Sequence, residues 1–369
     1  MHDYPREIEN YPFLLKAIKG ENKWLLPGLT FLSYLYYLSW LLKRKKKIKE
    51  PLPFKVIGVG NLTWGGTGKT PFVEYLASRL KPRVKIGVVT TGYGATRKKG
   101  LLGKEEISPL SWQEIGDETF LLKEKLPDLP LSFGRNRRLA SLMLHKAFRT
   151  ECIILDDAFQ YRRMQKDLEI LLIDATDPLG NNYLIPRGKL REPYYAMQRA
   201  DLVIFTKSNS QKVKRETISS LQEKFPRIPF LKGFHRAKFL QKKTLPESKS
   251  ERLPVEAVRG KKVGIFSGVG DPHYFEETLS LLGAKVERIA RFRDHHFYNE
   301  DELRETLSFL SQGTDLVITT EKDALKLPEK GLGNFPVYSL VVEFAFLEGE
   351  EILAEKLRKI LPHEVEYRL

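Results

Sequence analysis

Apolar residues along this chain follow two rhythms. Short unbroken runs of strand length stand at 54–59, 84–90, 152–155, 170–174 and 202–206. After the first of them, Phe72, Val73, Leu76, Ala77 and Leu80 recur at helical spacing, and Pro71 is acceptable in a helix's first turn. Unbroken apolar strands alternating with helical stretches predict a parallel sheet covered on both faces. From about 207 to 260 the chain turns polar and lysine-rich with scattered prolines, which places the connection between two lobes there. The alternation then restarts with strand 263–266, helix 275–282, strand 286–290, helix 301–310 and strand 316–319, so the second lobe is also α/β.

Residues 24–42 break both rhythms. They run from Trp24 to Leu42 almost without charge, and a basic run, Lys43, Arg44, Lys45, Lys46, Lys47 and Lys49, follows directly. As a helix the segment is about 28 Å long, short of the roughly 30 Å of a bilayer's hydrocarbon core, and it contains Pro27 and Gly28 as well as several tyrosines and tryptophans. That combination predicts a helix lying in or dipping into a membrane interface, with the basic run at the cytoplasmic leaflet. The bland alternative is an aromatic helix packed on the protein's own body. Acidic residues ahead of it, Asp3, Glu7 and Glu9, argue against a cleaved signal peptide.

Composition narrows the class. The 369 residues suit two compact lobes with an appendage, and 41% apolar with 30% charged residues describes a folded chain. Its one cysteine, Cys152, cannot close an internal disulfide and reads as a small core residue of a protein in a reducing compartment. The formal net charge of +15 favours an anionic partner, whether nucleic acid, acidic lipid or a phosphorylated substrate.

Chemistry enters between the first strand and the first helix. Thr63-Trp64-Gly65-Gly66-Thr67-Gly68-Lys69-Thr70 is a phosphate loop, in which glycines let backbone N–H groups converge on an anion at a helix N-terminus. Lys69 can reach β- and γ-phosphates and the Thr70 hydroxyl can ligate Mg²⁺, although the consensus asks for glycine where Thr63 stands. Mg²⁺ also needs a carboxylate at the end of a neighbouring buried strand, and Ile153-Ile154-Leu155-Asp156-Asp157 offers two, with their division of labour open. Gly116-Asp117-Glu118 and Arg293-Asp294-His295-His296 hold candidate bases for the proton of an alcohol acceptor, or ordinary solvated loops. Leu184-Ile185-Pro186-Arg187-Gly188-Lys189-Leu190-Arg191-Glu192-Pro193 gathers cations beside a turn, as a phosphate binder or a solvated basic loop. The expected architecture is therefore α/β: a P-loop NTPase-like parallel-sheet core over 51–235, a smaller C-terminal α/β lobe over 236–369, and an N-terminal membrane-associated helix with its basic run over 1–50.

Taken in order, these motifs resemble the tetraacyldisaccharide 4′-kinases of lipid A synthesis, over nearly the whole chain. The resemblance is carried by Val59-Gly60-Asn61-Leu62-Thr63 running on through the phosphate loop to Pro71, by Gly92-Tyr93, Gly116-Asp117-Glu118 and Ile154-Leu155-Asp156-Asp157, and by Phe159-Gln160, Leu190-Arg191-Glu192-Pro193, Ser267-Gly268-Val269-Gly270-Asp271 and Asp294-His295. It implies ATP and Mg²⁺ as cofactors and transfer of the γ-phosphoryl to the 4′-hydroxyl of a glycolipid, a tetraacyldisaccharide 1-phosphate. It also implies a peripheral or monotopic place on the anionic cytoplasmic face of the inner membrane of a Gram-negative bacterium. Residue by residue, it implies that Thr63, Trp64, Gly65, Gly66, Thr67, Gly68, Lys69 and Thr70 bind the nucleotide and that Thr70, Asp156 and Asp157 hold the metal. Lys69 and Asp117 would be catalytic, Asp117 as the base assisted by His295, with Gln160, Arg191 and Glu192 contacting substrate or phosphate. The chain departs from the family at Thr91, where an arginine is usual, and at Gly134, Ala158 and Tyr161; Arg97, Arg135 and Arg187 are candidates for the missing arginine's role. A membrane-associated regulatory ATPase of the MinD-like class is the rival, but its loop has a lysine where Trp64 stands. No nucleic-acid motif accompanies the positive charge, so nucleic acid is not the expected partner.

Overall fold

The computed structural model describes residues 6–9, 25–43, 51–103, 111–243, 251–327 and 336–361. Asp3, Trp24 and the basic run from Arg44 to Lys49 lie outside the described residues. In chain order the elements are β1 (Arg6–Glu9), α1 (Leu26–Lys43), β2 (Lys55–Asn61), α2 (Lys69–Leu80), β3 (Ile86–Thr90), β4 (Lys99–Leu102), α3 (Trp112–Ile115), α4 (Asp117–Lys125), β5 (Leu131–Gly134), α5 (Arg137–Phe148), β6 (Cys152–Leu155), β7 (Leu168–Asp174) and β8 (Leu202–Thr206). There follow α6 (Arg215–Lys224), β9 (Phe230–Lys242), β10 (Arg252–Pro254), β11 (Lys262–Ser267), α7 (Pro272–Leu281), β12 (Lys285–Arg291), α8 (Glu300–Ser311), β13 (Leu316–Thr320), α9 (Glu321–Ala324), β14 (Val337–Glu348) and α10 (Glu350–Ile360). They form two compact units: a larger one of Leu14–His235 with Phe344–Leu369, and a smaller one of Met1–Phe13 with Arg236–Glu343. The lysine-rich stretch read as a connection folds into α6 and β9, and the chain passes from one unit to the other within β9 and again within β14.

In the larger unit the strands run β9-β8-β7-β2-β6-β3-β5-β4. Every pairing recorded among them is parallel except that of β4 with β5. All four residues of β6 and all five of β8 are buried, as unbroken apolar strands demand when helices cover both faces. The chain leaves β2 through α2 to reach β3, returns to β6 between them, and continues on the other side of β2 at β7. Such a reversal of strand order opens a crevice at the carboxyl ends of the strands, here those of β2, β6 and β7. The core beneath it packs Phe72, Val73 and Leu76 of α2 with Ile57, Val59, Ile154, Ile170 and, from the returning chain, Phe344, Leu353 and Leu357.

Helix α1 belongs to the larger unit and has two unlike faces. Thr30, Ser33, Tyr36, Tyr37 and Trp40, at helical spacing, meet the body of the unit: Ser33 Oγ donates to Leu184 O at 2.8 Å, Tyr36 Oη to Arg191 O at 2.8 Å, and Tyr37 Oη lies 3.1 Å from Tyr195 Oη. Phe31, Leu32, Tyr34, Leu35, Leu38 and Leu42 stand exposed on the other side. Packing on the protein's own body thus accounts for one face of α1 and leaves the other face apolar and exposed. Among the described residues no helix is long and apolar enough to cross a membrane.

In the smaller unit the strands run β1-β12-β11-β13-β14 with parallel pairings, and β10 lies antiparallel to β9. Its core gathers Val263, Ile265, Phe275, Leu279, Ile289 and Ile318.

Candidate active site

The phosphate loop is built from Asn61 outward. Asn61 ends β2 with 1% of its surface exposed, and its Nδ2 donates to Thr63 O at 2.7 Å and to Thr67 Oγ1 at 2.9 Å, pinning the loop at two points. Gly68 takes φ of 76°, and a Cβ built on it would lie 2.2 Å from His235 Nε2, so only glycine fits between the loop and that ring. Helix α2 then starts at Lys69 with no side-chain cap and no acidic residue in its first turn. Its first N–H groups and its dipole are left to an anion. The position where the consensus wants glycine, Thr63, is buried and its backbone bridges to Leu190, while Trp64 is exposed.

The paired aspartates sit at the end of β6 and differ sharply. Burial, reinforced by the nearby Glu118 carboxylate, pushes Asp156 up to about 7. Its Oδ1 is buried without a hydrogen-bond partner. Asp157, at φ of 50°, is held well below the ordinary carboxylate range: burial would raise it, but Lys69 and Arg191 outweigh that. Arg191 grips both of its oxygens, at 2.6 and 3.0 Å, and also donates to Asn61 Oδ1 at 3.0 Å. Lys69 Nζ lies 3.6 Å from Asp157 Oδ1. Lys69, Asp157, Arg191 and Asn61 therefore form one charge network at the loop.

Other expected residues take supporting positions. Gln160 Nε2 donates to Asn61 O at 2.8 Å. Glu192, 2% exposed, pairs with Arg199 at 2.8 Å, whose guanidinium covers the Phe159 ring. Of the three arginines considered for the role lost at Thr91, Arg97 binds Glu114, Arg187 binds Thr30 and covers Tyr183, and Arg135 is exposed. A second guanidinium beside that of Arg191 reaches the aspartates: Arg137 donates to Asp156 O at 2.7 Å and Asp157 O at 2.6 Å. Arg137, Asn61 and His235 were not singled out from the sequence. Arg137 acts on main-chain oxygens, which leave no residue pattern, whereas Asn61 bonds Thr67 and Arg191 by its side chain and stands inside a motif block.

Asp117 opens α4 with 4% of its surface exposed, and its Oδ1 accepts the Glu118 N–H at 2.9 Å. Gly116 before it packs on the Tyr93 carbonyl, which a Cβ would approach to 2.6 Å, so two motif blocks far apart in sequence touch. His295 belongs to the smaller unit, after β12, at φ of 60°. Its Nε2 lies 3.5 Å from Lys322 Nζ, and its N–H donates to Asp294 Oδ1 at 3.0 Å.

No group of three or more His, Cys, Asp or Glu among the described residues forms a ready-made metal cage. Mg²⁺ in phosphate sites needs less, one or two carboxylates with substrate oxygens completing the shell. The orphaned Oδ1 of Asp156 and the strongly ionised Asp157 beside it fit that requirement.

Comparison with known proteins places the chain in a family. The family model for LpxK, tetraacyldisaccharide-1-P 4′-kinase, matches residues 24–362. A tetraacyldisaccharide 4′-kinase of Halothermothrix orenii is 32% identical, covering 96% of this chain and 98% of its own. The kinase of the same description from Geobacter sulfurreducens is 36% identical over 83% of this chain and 84% of its own. A crystal structure of LpxK from Aquifex aeolicus in complex with ATP matches at a TM-score of 0.69 and 31% identity, covering 92% of this chain and 98% of that one.

Proposed function

We infer the function from one premise: the chain belongs to the tetraacyldisaccharide-1-P 4′-kinase family, whose reaction serves lipid A biosynthesis. The chain is a kinase that transfers the γ-phosphoryl group of ATP to the 4′-hydroxyl of a tetraacyldisaccharide 1-phosphate. The observation that carries this reading is the uncapped N-terminus of α2 joined through Lys69 and Arg191 to Asp157, one of the two aspartates that follow β6.

The α2 N-terminus and Lys69 bind the nucleotide's phosphates, and Thr70, Asp156 and Asp157 are the residues that would hold Mg²⁺. An ion held there would offset the negative charge of the phosphates. The acceptor's 4′-oxygen attacks the γ-phosphorus, its new O–P bond replacing the bond to the bridging oxygen, which leaves with ADP. Asp117 takes the hydroxyl proton. Arg191 keeps Asp157 ionised and in place, and Gln160 and Glu192 fix the segment around it. The partner surface is an anionic membrane, supported by the exposed apolar face of α1 and the net charge of +15. A peripheral place on the cytoplasmic face of the inner membrane of a Gram-negative bacterium puts the enzyme where ATP and the acceptor meet.

Purified protein in detergent, given ATP and one pure acceptor, is expected to add a phosphate at the 4′ position, located by mass spectrometry and NMR. Asp117→Ala should cut turnover about a hundredfold or more while sparing ATP affinity. ATP hydrolysis on vesicles with no phosphorylated glycolipid would instead support a MinD-like regulatory ATPase.

A further inference from the structure

The lipid-facing helix and the phosphate loop are joined through a single short segment, residues 183–191. On one side α1 holds this segment by four polar contacts. Ser33 Oγ donates to Leu184 O at 2.8 Å and accepts the Arg187 N–H at 3.0 Å, Thr30 Oγ1 accepts from Arg187 Nη1 at 2.8 Å, and Tyr36 Oη donates to Arg191 O at 2.8 Å. On the other side the same segment holds the loop through its main chain: Arg191 N donates to Leu62 O at 2.7 Å, and Trp64 N donates to Lys189 O at 2.7 Å. The segment is closed on itself by Ile185 N to Leu190 O at 2.9 Å and Leu190 N to Tyr183 O at 3.1 Å. Arg191 is the pivot. Its carbonyl takes the Tyr36 hydroxyl, its N–H grips the loop, and its guanidinium clamps Asp157 and Asn61.

We propose that α1 is a working part of the phosphate site, with Tyr36 and Ser33 as positioning residues that brace segment 183–191 against the loop. The proposal rests on the reading of this loop as the ATP site and extends it, since the helix offered to the lipid surface then also sets the shape of that site. These hydroxyls meet main-chain carbonyls that an apolar contact would leave unsatisfied, so the helix and the segment hold each other in one register. Burial keeps the Tyr36 phenol neutral, against the opposing pull of Arg191, so it remains a donor across the physiological range. Because the link is mechanical, coupling through it is reciprocal: whatever steadies α1 tightens nucleotide binding, and bound nucleotide steadies α1.

Tyr37 provides a matched control, because its hydroxyl bonds Tyr195, outside the bracing segment. Calorimetry with Mg·ATP on the full chain in detergent compares the wild type with Tyr36→Phe, Ser33→Ala and Tyr37→Phe, alongside melting temperature and hydrogen exchange of residues 62–67. One lost hydrogen bond at the brace corresponds to about a fivefold weaker Kd. Tyr36→Phe, which loses one such bond, should weaken ATP by about that factor, Ser33→Ala, which loses two, by at least as much, and both should speed exchange in 62–67. Tyr37→Phe should do neither, at a similar cost in melting temperature. Unchanged ATP affinity in Tyr36→Phe and Ser33→Ala, or an equal shift in Tyr37→Phe, overturns the proposal. A wild type that binds ATP but phosphorylates no glycolipid overturns the kinase reading and leaves the brace standing; one that binds no ATP at all sinks both.

Discussion

Asp156 and Asp157 are neighbours in the chain, yet their surroundings drive their protonation apart. One is walled in beside Glu118, the other is gripped by Lys69 and Arg191. A carboxylate's behaviour in this protein therefore depends on whether a cation reaches it, and Glu276 in the smaller unit allows that rule to be tested away from the active site. Arg291, 4% exposed, binds Glu276 through two hydrogen bonds of 2.6 and 2.9 Å. Burial would raise the Glu276 carboxyl, but Arg291 and His273 outweigh it and hold it below its ordinary 4.5. A depressed acid stabilises the fold above its unfolded value and loses that contribution as pH falls through the lower folded value. Glu276→Gln should therefore melt well below the wild type at neutral pH, at a cost of up to about 3 kcal/mol, because the buried Arg291 charge loses the carboxylate that balances it. The gap should narrow as the pH falls below the ordinary 4.5 and close only when it has passed through the lowered folded value, where the wild-type carboxyl is itself protonated. Thermal melts of both proteins across that range check it, and a gap independent of pH would mean that Glu276 acts by packing rather than charge.

At the scale of elements, the junction of β2, the loop and α2 depends on one glycine that has no room for a side chain. Gly68→Ala places a methyl where His235 stands, at a φ of 76° that costs a substituted residue roughly 1–2 kcal/mol. ATP binding and melting temperature should both fall. Gly68→Ala combined with His235→Ala should regain the part due to the clash and keep the part due to the backbone, which calorimetry and melting separate. The sequence showed this junction plainly, since glycines at fixed offsets between an apolar run and a helical spacing have few other uses. It showed β6 and β8 equally well, because strands buried on both faces are written in unbroken apolar residues. It hid β9. There Lys232, Lys238 and Lys242 face acids, pairing with Glu348, Glu343 and Glu251, so a strand with one charged face read as a polar connection. It also hid Arg137, whose partners are carbonyl oxygens that every residue has.

For the whole molecule, the question is how tightly it holds a lipid surface when no described helix can cross one. The exposed Phe31, Leu32, Leu35, Leu38 and Leu42 of α1 are already half-buried in several cases, so inserting them gains on the order of 5 kcal/mol. That is the strength of one acyl anchor, which binds membranes only marginally and reversibly. The six basic residues from Lys43 to Lys49 add about 1 kcal/mol each near an anionic surface. Neither contribution suffices alone, so on the proposed reading the two must act together. Partition onto vesicles containing anionic lipid should then fall steeply as salt is raised, and neutral vesicles should bind weakly at any salt. Phe31→Glu with Leu35→Glu should abolish binding to both vesicle types, while leaving the contacts of Ser33 and Tyr36 on the opposite face untouched. Co-sedimentation with the two vesicle types over a salt series measures all of this. Binding that ignores salt but vanishes in the double variant would assign the attachment to the apolar face alone, and binding that survives the double variant would move it to the basic surface.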